Sequence, residues 1–431
     1  MKEILPEPVP IVRNASARIR ELFSKNVIPT YARFELAWSH GAGTYLWDVN
    51  GKRYVDMGGG IAVCALGHAN AEITQALATQ ASKLVHVSNF YYHEPQGRLA
   101  EALVSLIGPG KCFFCNSGAE ANEGLFKVAR RFGDAEGRFE IITATNSFHG
   151  RTLAGIAATG QEKVKKGFGP ATPGFIHVPF NNLEAVHSAI SPATVAVLIE
   201  SIQGESGITP ADADYLFGLR QLCNEKKLLL LMDEVQAGYF RTGRFCGYQR
   251  LLEKSPGGEK FLPDGVSMAK SLGGGFPIGA FWVRDKFADL LGPGSHASTY
   301  GGTPLGCAVA LKVLEVVQRE KLDQNARLLG EKFRQDLEGL ISEFPTLLKT
   351  ARGYGLMIGL ELRAEHPCFA KNEKSAAAQF VNALHENGLL AIPAGLEVIR
   401  FLPPLNLRPQ EADEALGILR RTLTGLKEHV C

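Results

Sequence analysis

Residues 228–248 read LLLLMDEVQAGYFRTGRFCGY, and residues 264–275 read DGVSMAKSLGGG. Leu228 to Met232 is a short apolar run that stops at two acids, Asp233 and Glu234. Such a run reads as a parallel strand buried on both faces, with chemistry at its carboxyl end. A second short run, Val266 to Ala269, stops at Lys270 and is followed by glycines 273 to 275. In an open α/β sheet the carboxyl ends of strands meet in one crevice, so a carboxylate and an amine are offered to the same space. That pairing suits covalent chemistry through an amine.

Working outward, the same rhythm of short apolar strands and helices continues on both sides. CFFC (112–115), FEIITAT (139–145), VAVLIE (195–200) and AFWV (280–283) read as further strands, with a helix from Ala119 to Phe132 and another within Gly301 to Arg319. The pattern predicts a doubly wound, mostly parallel sheet. Before it, residues 1–40 form an arm with a helix around Ala15 to Ser24, and TYLWDVNGKRYVDM (44–57) reads as a hairpin turning tightly at Asn50 and Gly51. Gly58 to Gly60 favour close backbone approach over regular structure. After about residue 325 come a helix through Leu328 to Leu340, a strand at GLMIGLEL, a helix over Ser375 to Asn387, VIRFLPPL and a last helix from Gln410. The expected division is a large sheet domain over 76–324, and a discontinuous small α+β domain from 1–75 and 325–431.

Composition narrows the function. A chain of 431 residues that is 45% hydrophobic and 21% charged is long and apolar enough to bury a core. Its 46 basic and 44 acidic side chains leave no basic excess for a nucleic acid to bind. There is no apolar run of about eighteen residues for a membrane span, and MKEILPEPVP lacks a signal-peptide core. The expectation is a cytoplasmic protein. Cys112 and Cys115 form a CxxC, but no second half-site completes a zinc set, so no metal is expected and the eight cysteines read as reduced thiols.

Four stretches carry candidate chemistry, each beside a plainer reading. Asn116 to Glu120, NSGAE, joins a strand to a helix, so Ser117, Gly118 and Ala119 either cradle a phosphate on free N–H groups or simply cap the helix through Ser117. Phe148 and Arg151 follow another strand; the ring can cover a planar cofactor and the guanidinium can clamp a carboxylate, with His149 between them tuning the turn. Asp233 either holds a pyridine nitrogen in its charged form or caps the next turn, and Gln236 sits within hydrogen-bonding reach of the same space. Lys270 suits Schiff-base formation and proton transfer, or is a surface lysine before a flexible turn.

Together NSGAEAN, FHGRT, IQGE, DEVQAG, SMAKSLGGG, STYGG and RFLPPL, in that order, resemble the class III aminotransferases, pyridoxal-phosphate enzymes of fold type I. Within that family the likeness is to the acetylornithine, ornithine and succinylornithine aminotransferases, from about Tyr31 to near the C-terminus. The resemblance implies that Lys270 carries the cofactor and that Asp233 pairs with its ring nitrogen. It places Ser117, Gly118 and Ala119 at the phosphate, Phe148 on the ring and Gln236 near the phenolic oxygen. It further implies a homodimer in which Thr299 of the neighbouring subunit reaches the phosphate and Ser298 beside it meets substrate. Arg151 would take the α-carboxylate of an acetylornithine or ornithine donor, and Arg400 that of glutamate or 2-oxoglutarate, with Glu205 pairing with Arg400 in one half-reaction and leaving it in the other.

The implied reaction converts N2-acetyl-L-ornithine and 2-oxoglutarate to N-acetyl-L-glutamate 5-semialdehyde and L-glutamate, a step of arginine formation. Ornithine, succinylornithine, succinyldiaminopimelate and 4-aminobutyrate are alternative donors. The chain departs from the family's usual pattern at Ser201, Thr303, Ala297, Phe240 and Ala69 to Ala71. None of these removes a charged catalytic group, so they bear on donor preference and leave the cofactor untouched.

Overall fold

The structure is a computed structural model that describes residues 15–369 and 373–428. The segment MKEILPEPVP and Cys431 lie outside the described residues. A seven-stranded sheet runs in the order Gly110–Cys115, Gly279–Arg284, Gly265–Met268, Leu229–Asp233, Thr194–Glu200, Glu140–Ala144 and Phe175–Val178. Only Gly279–Arg284 runs against its neighbours; every other adjacent pair is parallel. The stretch from Leu229 to Asp233 is buried at every position, which is why it reads as a continuous apolar run. Fully burying each such leucine contributes about 1.5–3 kcal/mol, so the strand is held at the centre of the sheet.

Helix Gly118–Gly133 covers one face of this sheet through Ala121, Leu125, Phe126, Val128 and Ala129. It approaches so closely that a Cβ on Gly124 would stand 2.1 Å from the Phe281 ring. The sheet's carboxyl edge, where Cys115, Glu200, Asp233 and Met268 end their strands, therefore lies beside the start of this helix.

Two smaller sheets join distant parts of the chain. Trp38–Ala42, Tyr45–Asp48 and Arg53–Asp56 form an antiparallel meander, and Leu389–Leu390 adds in parallel, pairing Leu389 with Val55 and Leu390 with Asp56. Leu348–Tyr354, Met357–Leu362, Val398–Phe401 and Ile392–Ala394 make the other, wholly antiparallel. The hairpin turn differs from the two-residue turn predicted at Asn50 and Gly51. Asp48 accepts from the Gly51 N–H through its carbonyl and from the Asn50 and Lys52 N–H groups through Oδ1, so the turn spans Val49 to Gly51 with only Gly51 at positive φ. The aspartate side chain selects the longer loop by satisfying those donors itself. Gly59 behaves as predicted, since a Cβ there would meet the Leu402 carbonyl oxygen at 2.5 Å.

Candidate active site

Asp233 and Lys270 line one cavity of about 400 Å³ at the carboxyl edge of the large sheet. Register places Asp233 level with Glu200 on one neighbouring strand and Ser267 on the other. Lys270 begins a 3-10 turn just past Gly265–Met268 with φ +50, a left-handed conformation that costs roughly 1–2 kcal/mol for a residue with a Cβ. The turn is held by Ser271, whose Oγ donates to the Ala62 carbonyl at 2.7 Å, and by the buried Leu272. Burial pushes the Lys270 amine down to about 8, and Nζ has no hydrogen-bond partner among the described residues. An amine close to neutrality and free of partners is fit to act as a nucleophile.

Asp233 is 4% exposed and fully engaged. Its Oδ2 accepts from Asn122 Nδ2 at 2.7 Å and from His149 Nδ1 at 2.8 Å, and Oδ1 accepts from the Val235 N–H at 3.0 Å. A carboxylate only accepts, so the His149 proton is assigned to Nδ1. His149 Nε2 is then a buried atom with no partner. Asn122 also donates to the His149 carbonyl at 3.0 Å and so ties helix, turn and strand together. Asn122 had no predicted part in the site; its signal in the sequence was an asparagine on the buried face of the helix. Glu234 is structural: its oxygens accept from the Gly247 and Tyr248 N–H groups at 2.7 and 3.1 Å, while burial pushes it up to about 7.

At the cavity's other end the structure shows the capping reading of NSGAE. Ser117 Oγ caps the helix by accepting from the Glu120 N–H at 3.2 Å, and Ser117, Gly118 and Ala119 of this first turn line the cavity. Gly118 admits no side chain there, since a Cβ would lie 2.7 Å from Val235 Cγ1. Phe148 lines the same wall, and the exposed Arg151 stacks over its ring with Cζ 5.4 Å from the centroid. Arg151 has no carboxylate partner among the described residues.

A second charged cluster adjoins the cavity through Gln236. Arg400 is 1% exposed and its NH1 faces three acceptors: the Gly204 carbonyl at 2.8 Å, Glu205 Oε1 at 2.7 Å and Gln236 Oε1 at 2.7 Å. Gln236 Nε2 in turn donates to Glu205 Oε1 at 3.1 Å, so both ends of this amide are bound within the cluster. Burial raises the Glu205 carboxyl, but Arg400 beside it outweighs this and holds it at about 2.

Ser298 and Thr299 are placed differently from each other. Ser298 Oγ accepts from Asn116 Nδ2 at 3.2 Å, at the rim of the cavity. Thr299 lines a separate recess with His86, Asn89 and His93, one that shares no lining residue with the cavity of Lys270. Cys112 and Cys115 are free thiols that burial pushes up to about 12.

These features fit pyridoxal phosphate. The helix N-terminus, cleared by Gly118, offers N–H groups to a phosphate; Phe148 offers a ring face; Asp233 offers a caged anion to a cationic ring nitrogen; and the partnerless Lys270 offers the amine. The cavity is of the size that holds such a small, planar ligand.

The family model "Aminotransferase class-III" matches residues 28–423. An acetylornithine aminotransferase of Gloeobacter violaceus is 47% identical over 411 residues, covering 95% of this chain and 98% of that one. Among solved structures, an acetylornithine aminotransferase from Elizabethkingia anophelis superposes with a TM-score of 0.81 at 32% identity, covering 95% of this chain and 99% of that one. An ornithine aminotransferase from Toxoplasma gondii, described with pyridoxal phosphate at its active site, superposes with a TM-score of 0.88 at 30% identity, covering 97% of both chains. With the strand-end lysine and aspartate brought into one cavity and a match across nearly its whole length, the chain belongs to the class III aminotransferases, enzymes of fold type I that depend on pyridoxal phosphate.

Proposed function

We propose that this aminotransferase moves the terminal amino group of N2-acetyl-L-ornithine to 2-oxoglutarate, yielding N-acetyl-L-glutamate 5-semialdehyde and L-glutamate. The observation that carries the reading is the contrast between two arginines. Arg151 is exposed and has no carboxylate partner among the described residues, whereas Arg400 is buried and masked by Glu205. The acylated donor has a single carboxylate, which Arg151 can take while Glu205 keeps Arg400 neutralised. The acceptor has two, and its second carboxylate replaces Glu205 on Arg400. Leaving a buried guanidinium unpaired costs about 3–5 kcal/mol, so Glu205 departs only when another carboxylate arrives. Relatives named acetylornithine aminotransferase, 41–47% identical, support the same donor.

Pyridoxal phosphate, when bound, supplies an aldehyde for the amine and a ring that spreads negative charge from the substrate carbon. The chain supplies the rest. Lys270 tethers the cofactor through Nζ and then carries the proton at the substrate carbon. Asp233, oriented by Asn122 and His149, holds the ring nitrogen charged. Gly118 and Ala119 bind the phosphate, with Ser117 shaping the turn, and Phe148 covers the ring and excludes water.

The reading includes a homodimer in which Thr299 of each chain serves its neighbour's phosphate; the recess that Thr299 lines, distinct from the cavity that Lys270 of the same chain lines, supports this. It also includes the division into domains 76–324 and 1–75 with 325–431, supported by the pairing of Leu389 with Val55. A reducing cytoplasm suits the seven free thiols among the described residues. A donor panel with 2-oxoglutarate tests the substrate. The highest kcat/KM is expected for N2-acetylornithine, and a higher value for ornithine, succinylornithine or 4-aminobutyrate would reject it.

A further inference from the structure

Glu200 ends the strand Thr194–Glu200, is buried, and stands in register with Asp233. Two carboxylates at one level of a sheet repel, and a second acid here adds nothing to the counter-charge Asp233 already provides. Its bonds show another use. Oε1 accepts from the Phe148 N–H at 3.0 Å, and Oε2 accepts from the Gly204 N–H at 3.1 Å. The first partner belongs to the turn that walls the cavity. The second directly precedes Glu205, and its carbonyl accepts from Arg400 at 2.8 Å. A single side chain therefore braces the cofactor wall against the loop that carries the glutamate covering Arg400.

We propose that Glu200 is a positioning residue for the acceptor: by holding the Phe148 and Gly204 N–H groups at once, it sets the Gly204 carbonyl against Arg400 and so keeps the guanidinium oriented for a dicarboxylate when Glu205 gives way. The proposal rests on the reading of Arg400 as the acceptor's arginine. Only the ionised form has two equivalent acceptor oxygens for the two N–H groups; protonation turns one oxygen into a hydroxyl that accepts poorly and must donate elsewhere. Burial pushes Glu200 up to about 7, with Asp233 adding to the rise and His149 and the two N–H groups opposing it. Lys270 also faces it across the cavity, while Arg400 and Glu205 act on it through Gly204. Below about pH 7 the brace is protonated, so capture of a dicarboxylate weakens as the pH falls.

The test uses holoenzyme and glutarate, a dicarboxylate with no keto group, with binding measured by calorimetry from about pH 6 to 8. In Glu200→Gln the glutarate dissociation constant is expected to rise about tenfold at the upper pH, the size of one lost charge-assisted hydrogen bond, and its pH dependence to flatten. The kcat/KM for the donor is expected to fall several-fold less than that for 2-oxoglutarate. Wild-type affinity with an unchanged pH slope would overturn the proposal, as would equal losses for donor and acceptor accompanied by a lower Tm. If Glu200→Gln fails to fold, Glu200→Asp takes its place; weakened binding with the slope retained supports the brace, and wild-type binding overturns it. Arg400→Ala run in parallel separates the two readings. Unchanged glutarate binding in that variant rejects the acceptor role of Arg400 and this proposal with it, whereas weakened binding there and none in the Glu200 variants rejects this proposal alone.

Discussion

Two charged clusters share the crevice and are built in opposite ways. Around Asp233 each bond has one donor and one acceptor, and the partners come from a helix, a turn and the backbone just past the strand's end. Around Arg400 the bonding is oversubscribed: NH1 has two hydrogens for three acceptors, Nε has no partner, and Glu205 is 28% exposed. The first arrangement fixes a charge in place, as a ring nitrogen that must stay cationic requires. The second holds a carboxylate that an incoming carboxylate can replace on the arginine, as a site that alternates between substrates of different charge requires.

Mutations that break this contrast should rank in order. Lys270→Ala, which removes the only lysine lining the cavity among the described residues, is expected to reduce turnover by at least about 10⁴-fold and to abolish the lysine-linked visible absorbance, seen in a spectrum of the purified variant. Asp233→Ala should lower kcat by about 10³-fold for both half-reactions alike, because the fixed cluster serves both; single-turnover rates measure this, and a loss confined to one half would refute it. Arg400→Ala should cut kcat/KM for 2-oxoglutarate by about 10²-fold with a much smaller effect on the donor, and a selective loss of the donor would reverse the assignment.

The smallest effects are those of pH. The Lys270 amine, pushed down to about 8, is neutral above that value, so the rate at which apoenzyme takes up pyridoxal phosphate should rise with pH and level off past about 8. A rate still rising as an ordinary lysine titrates near 10.5 would contradict the burial. Glu205, held at about 2 against an ordinary 4.5, stabilises the fold above 4.5, and that contribution fades as the pH falls through 2. Acid unfolding of Glu205→Gln should lose this slope while keeping the slope due to other carboxylates.

What the sequence made legible follows the same contrast. Leu229–Asp233 and Gly265–Met268 were readable because strands buried on both faces need unbroken apolar runs, and the residues just beyond them have few places to go. Phe175–Val178 had no such signature, since it is an edge strand with half-exposed positions, and neither had Leu348–Tyr354, whose one buried residue is Leu348. The motifs located Asp233, Lys270, Ser117 and Arg400, but the bonds between them were hidden. Asn122 reaches Asp233 across 111 positions and Arg400 reaches Glu205 across 195, and no local pattern encodes a contact at that separation. Glu200 was read only as the end of a strand, because its partners are backbone N–H groups that leave no mark on side-chain identity.

Everything in this site turns on whether the amine just past Gly265–Met268 carries the cofactor. Reduction of the purified holoenzyme with borohydride, followed by proteolysis and mass spectrometry, tests it directly. The added pyridoxyl-phosphate mass is expected on the peptide containing Lys270 and on no other; an unlabelled protein, or label on a different lysine, would rule out Lys270 as the carrier.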